Sequence, residues 1–204
     1  MSSVMTYDSL VKNILDYSER DDVDYVAAIP GIISLAEYSI AAQLKTLLQL
    51  VVVETNLATN QTVLNKPARW RKTVSMKVNG EPVLLRSQDY VSQYLAESDL
   101  GQPKVYAEYD FSNWNFAPAP NKNYPVEIIF YQVPQPLDQN NQQNLFTETC
   151  PQLMLYASMY HAMVFLKALD KIQTWKQYFQ DELGAIKKED NTRRVDRNTS
   201  IQEP

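Results

Sequence analysis

Proline sets the limits of what the middle of this chain can become. From Pro103 to Asp138 the sequence reads PKVYAEYDFSNWNFAPAPNKNYPVEIIFYQVPQPLD, and a helical pattern, ETCPQLMLYASMYHAMVFL, follows. Proline fixes φ and has no N–H to give a ladder, so it holds strands to short runs with fixed ends. Helical periodicity comes before this region and again after it. The order is therefore helices, strands, helices, and the expected fold class is α+β. Helices from both ends form one bundle, and a β-rich, sandwich- or barrel-like insertion lies between them.

The first helix begins at Thr6 as N-cap, with Tyr7, Leu10, Val11, Ile14 and Leu15 at helical spacing and Asp8 in the first turn. The acidic run Glu19, Asp21, Asp22 and Asp24 reads as an exposed loop that caps the next helix. Val23 to Ile29 predicts a short helix that stops before Pro30, and Pro30 then opens a longer one. On that longer helix Ile32, Ile33, Leu35, Ala36, Ser39, Ile40 and Leu44 form one broad face, with Glu37 and Gln43 on the polar side. LLQLVVVET, from Leu47, reads as a strand. Trp70, Val74, Met76 and Val78 lead to Asn79-Gly80, a strong hairpin signal, and Val83 to Leu85 predicts the returning strand. Ser87 caps a short helix through Leu95. Strands follow at 103–109, 114–117 and 126–133, with a turn at 110–113. Thr149 caps the next helix with Pro151 just inside it. A last helix starts near Asp170 and carries Ile172, Trp175, Phe179, Leu183 and Ile186. The expected divisions are 1–46 for the N-terminal helices, 47–138 for the insertion, 139–188 for the C-terminal helices, and 189–204 for an extended polar tail.

The chemistry-bearing residues are sparse. Four glycines and neither a GxxxxGK[ST] nor a GxGxxG motif argue against a phosphate cradle. His161 is the only histidine and sits among Met, Tyr and Ala, which reads as a packed or rim residue. Cys150 is the only cysteine, so one chain has neither an internal disulfide nor a cysteine-based zinc site, and its place at a helix start reads as a buried small residue. Glu108 and Asp110 near Trp114 are the one carboxylate pair that suggests glycoside hydrolysis. No catalytic, cofactor or metal site is expected. The net charge of −5 disfavours a protein that wraps phosphates. The N-terminus has no signal-peptide pattern, and the apolar stretches read as too short and interrupted to span a bilayer, so no membrane partner is expected. Arg69, Trp70, Arg71 and Lys72 form a basic and aromatic run that suits a protein partner in an acidic chain, and Arg193, Arg194 and Arg197 lie in the polar tail. Thirteen tyrosines add a weak sign of contact surface.

Taken in order, TYDSLVKNILDYSERDD, VAAIPGIISLAEYSIAAQLK, NKPARWRKTVSM, LLRSQDYVSQYL, GQPKVYAEYD, NWNFAPAPNKNYPVEIIFYQVPQPLD and PQLMLYASMYHAMVFLK resemble the phage head-to-tail adaptor, or connector, proteins, similar in role to the tail-tubular A proteins of short-tailed phages. The likeness spans 6–188. The resemblance implies a structural virion protein without enzymatic activity, assembled in the host cytoplasm and placed at the head–tail junction. It implies a homo-oligomeric ring of about twelve copies under the portal protein, helical bundles side by side, and the β insertion toward the tail or nozzle protein. It implies a C-terminal extension that reaches the portal, and DNA that only passes through the lumen. On these terms Arg193, Arg194 and Arg197 are the expected portal contacts, and Arg69, Trp70, Arg71 and Lys72 the expected inter-subunit or tail-side contact. The competing readings are a tail-associated peptidoglycan hydrolase using Glu108 and Asp110, and a non-viral protein-interaction domain.

Overall fold

The computed structural model describes residues 4–194. In chain order it contains α1 (Tyr7–Ser18), α2 (Val23–Gln43), a 3-10 turn (Leu47–Gln49), β1 (Leu50–Leu57), β2 (Val63–Asn65), β3 (Trp70–Val78), β4 (Glu81–Pro82), β5 (Leu84–Leu85), α3 (Gln88–Glu97), β6 (Val105–Glu108), β7 (Asn113–Ala117), β8 (Tyr124–Gln132), α4 (Leu145–Thr149), α5 (Pro151–Phe165) and α6 (Leu169–Arg194). The fold is α+β. A helical unit comprises the described residues up to Gln49 and from Pro134 onward, and a β-rich unit comprises Leu50–Val133.

In the helical unit, α5 is the central element. It packs on α1, α2, α4 and α6. Leu153, Met154, Leu155, Ala157, Ser158, Met159, Ala162 and Met163 are all buried, which is what a helix apolar on nearly every side requires. The start of α1 is a reciprocal capping box: Ser9 N–H donates to Thr6 Oγ1 at 3.1 Å, and Thr6 N–H donates to Ser9 Oγ at 2.8 Å. Tyr17 of α1, Tyr156 of α5 and Tyr178 of α6 all meet the Trp175 ring, with centroids 5.7–6.0 Å away, so one aromatic cluster joins three helices.

Several expectations are corrected here. α2 is one continuous helix with Pro30 inside it. Pro30 cannot donate to the Val26 carbonyl, but both residues are exposed, and buried Tyr25 and Ile29 before it and Ile32 and Ile33 after it hold the helix together. α2 is also long and apolar enough to cross a membrane by length and composition, contrary to the sequence reading, although just under half of that stretch is buried within the protein. Its faces differ from expectation too: Leu35 is exposed and Glu37 is buried. At the other end, α6 continues past Lys188 to Arg194. Its inward stripe of Phe179, Leu183 and Ile186 reaches Asp190 at the next turn, and Asp190 is buried as a hydrogen-bond acceptor rather than as an apolar group. Ion pairs Glu189–Arg193 and Asp190–Arg194 at i,i+4 support this polar last turn. Finally, α5 is capped by Cys150, and Thr149 ends the short α4 that precedes it.

The β-rich unit is a sandwich of two four-stranded sheets, β1-β8-β3-β4 and β2-β7-β6-β5. Period-two alternation places Tyr124, Val126, Ile128 and Phe130 of β8 in a core shared with Trp114 and Phe116 of β7 and Tyr106 of β6. The alternate residues Val105, Ala107 and Ala117 form a second core under Val91 of α3, so α3 covers the outer face of the second sheet. Ser87 caps α3 as expected, with Tyr90 N–H donating to its hydroxyl. Asn79 (φ 53°) and Gly80 (φ 81°) are both left-handed, as a tight hairpin demands. The returning strand differs from the sequence reading. Glu81 and Pro82 pair with β3, Val83 N–H donates to the Met76 carbonyl of β3 at 3.0 Å, and Leu84 and Leu85 cross to the other sheet to pair in parallel with β6. Buried Val83 is the pivot. LLQLVVVET also starts as a 3-10 turn, with the strand beginning at Leu50.

Candidate interaction surfaces

The residues between β2 and β3 and the turn between β6 and β7 meet around Lys66. Its side chain is only 4% exposed. The ammonium pairs with the Glu108 carboxylate, donates to the Asp110 carbonyl at 2.7 Å, and lies 4.1 Å from the Trp70 ring centroid. Trp70 stands edge-on to Trp114 at 6.1 Å, and its indole N–H donates to Thr73 Oγ1 at 3.1 Å. The expected four-residue patch therefore divides. Trp70 is half-buried and packs on the sandwich core, while Arg69, Arg71 and Lys72 are exposed. Beside them Phe111 is 84% exposed, on the rim of a shallow hollow shared with Arg69 and Trp70. Sequence reasoning treated 110–113 only as a turn. An aromatic in an otherwise polar turn was the available signal.

Glu108 and Asp110 do not form a catalytic pair in this geometry. Glu108 is held by Lys66. The Asp110 carboxylate accepts from Ser112 N–H at 2.6 Å and from Asn113 Nδ2 at 2.8 Å. The Asn113 amide, followed by the backbone bonds, holds Asp110 below the usual carboxylate range, away from what a general acid needs.

Arg69 is left-handed at φ 60°, a conformation that costs a non-glycine residue about 1 kcal/mol or more. Its carbonyl accepts from Val133 N–H at 2.9 Å, which fixes the turn. Arg69→Gly is expected to fold at least as well as the parent, with up to about 1 kcal/mol gained in chemical denaturation. A large loss of stability would show that the arginine side chain is itself structural.

In the helical unit, Arg193 and Arg194 lie on the last turn of α6. Arg194 Nε bonds Asp190 Oδ2 at 2.7 Å, and Asp190 Oδ1 accepts from Leu47 N–H at 2.7 Å, which ties the helix end to the segment before β1. Arg197 lies outside the described residues. The Cys150 thiol is buried and pushed up by that burial, the opposite of an activated thiol. His161 Nε2 lies 2.8 Å from Ser39 Oγ, linking α5 to α2, and burial pushes its pKa down. Among the described residues no group of three or more His, Cys, Asp and Glu side chains could hold a metal ion.

A family model described as SU10 adaptor protein matches residues 5–202. The chain belongs to the SU10 adaptor protein family. Membership makes it a phage structural adaptor, a virion component that works between head and tail parts. No curated protein matches the chain. For this adaptor, the two arginine-bearing surfaces and the outward side of α2 are the candidate contacts. On α2, Val23, Leu35 and Tyr38 are 83%, 54% and 68% exposed.

Proposed function

We propose that the protein forms a ring that joins the portal at the capsid vertex to the tail and lines part of the DNA ejection channel. The observation that carries this reading is the family match over nearly the whole chain. The exposed apolar residues Val23, Leu35 and Tyr38 of α2 support self-association, because exposed apolar area of this kind is normally covered by a partner. Copies of the helical unit pack side by side in the ring. The exposed Arg69, Arg71, Lys72 and Phe111 supply a contact to the neighbouring subunit or to the tail or nozzle protein. Arg193, Arg194 and Arg197 supply the portal contact. At roughly twelve copies the ring carries on the order of −60 charges, which favours DNA sliding through over DNA sticking. The hydrolase reading gains nothing from Glu108 and Asp110, whose groups are committed to Lys66 and to the 110–113 turn.

The test is complementation in vitro. Heads that carry the portal but lack this protein are mixed with the purified chain and then with tails. Recovery of joined particles only when the chain is added supports the role. Heads that join tails equally well without it contradict the role.

A further inference from the structure

The segment 134–144 returns the chain to the helical unit, and its seat against α2 is a buried carboxylate. Glu37 is 8% exposed. Its Oε1 accepts from Leu137 N–H at 3.1 Å and from Asn144 Nδ2 at 2.7 Å. Asn144 Nδ2 also donates to the Gln135 carbonyl at 2.9 Å, while Asn144 Oδ1 caps α4 by accepting from Phe146 and Thr147 N–H. Within the segment Asp138 Oδ1 accepts from Asn140 and Asn141 N–H, and the Gln142 carbonyl accepts from Tyr7 N–H of α1 at 2.7 Å. Glu37 is thus the point where α2, the returning segment and the cap of α4 converge.

We propose that Glu37 is a proton-operated latch on the 134–144 segment: protonated, it seats the segment against α2, and ionised, it loosens it. Both recorded donors are neutral, and among the described residues no cation pairs with Glu37. The other titratable groups around it do not supply a counter-charge. Asp138 of the segment has the same sign. From α1, Tyr7 and Asp8 are neutral and acidic. From α5, His161 bonds Ser39 and is kept toward its neutral form by burial. Burial raises the Glu37 carboxyl to about 7, partly offset by the Leu137 and Asn144 bonds and reinforced by Asp138. A raised folded-state pKa means the folded state holds the extra proton. The stabilisation is complete below the ordinary carboxylate range and is lost as pH rises through about 7.

The test follows amide exchange protection across 134–144 between pH 5.5 and 8 in the full chain and in Glu37→Gln, which keeps an acceptor for both donors. Protection at Leu137 and Asn144 is expected to fall about tenfold or more in the parent and to stay level in the variant. Equal pH dependence in both proteins, or none in the parent, overturns the latch. Should the variant fail to fold, carbon-13 NMR of the parent decides: a Glu37 carboxyl midpoint near 7 supports the proposal, and one in the ordinary carboxylate range overturns it.

Discussion

Deleting residues 195–204 is expected to leave a folded subunit that no longer attaches to portal-bearing heads. The fold argument rests on where α6 ends. Its last fully buried apolar anchors, Phe179 and Leu183, are 2% exposed, and Asp190 still accepts from Leu47 N–H, so every described contact of the helix survives the deletion. A cut after Lys188 behaves differently. It removes Asp190, leaves the Leu47 N–H without its acceptor, and is expected to cost about 1–3 kcal/mol. Thermal unfolding separates the two truncations, and sedimentation with heads reads attachment. The arginines share the docking charge unequally in this account. Arg193 and Arg194 each hold an acidic partner one turn earlier, so alanine at either weakens attachment less than the full deletion does. Attachment at the parent level after deletion of 195–204 would remove the tail from the portal interface.

The second large effect is expected from reversing the exposed cations of the β-rich unit. Arg69, Arg71 and Lys72 changed together to Glu should leave the unit folded, within about 1 kcal/mol of the parent, because exposed substitutions away from structural contacts are usually mild. Ring closure or tail joining should fail. Trp70→Ala is the contrasting variant. It removes the edge-on contact to Trp114 and the ring beneath Lys66, and is expected to cost about 2–4 kcal/mol in denaturant unfolding. Normal assembly by the triple charge variant would clear the cations of any contact role. Assembly lost together with the fold would instead show that they are structural.

Much of this architecture was legible because local chemistry and tertiary structure agree. Thr6 with Ser9, Ser87, and Asn79 with Gly80 each mark an element end through a bond or backbone angle that only a few residue types supply. The misreadings have physical sources. Pro30 signals a helix start, yet burial on both sides of it outweighs one missing hydrogen bond. Leu84 and Leu85 look like the end of a hairpin, and nothing local says that the chain changes sheets at Val83. Beyond Lys188 the sequence turns polar, but Asp190 continues the inward stripe with a carboxylate, which hydrophobic periodicity does not register.

The candidate contacts were legible as charge and not as geometry. The run Arg69 to Lys72 is visible in the sequence, but Trp70 joins the core because Lys66 and Trp114 hold it there, and both are set by strand pairing across the fold. Glu37 reads as polar-face residue on a helix that is apolar nearly all round. Its burial depends on Leu137 and Asn144, which are 100 and 107 residues away in sequence.

The most direct measurement is electron microscopy of the purified chain mixed with isolated portal rings. A ring of this protein stacked on the portal, with a countable number of copies, is the predicted result. Portal rings that stay bare at every salt concentration would contradict the portal-joining ring proposed for this chain.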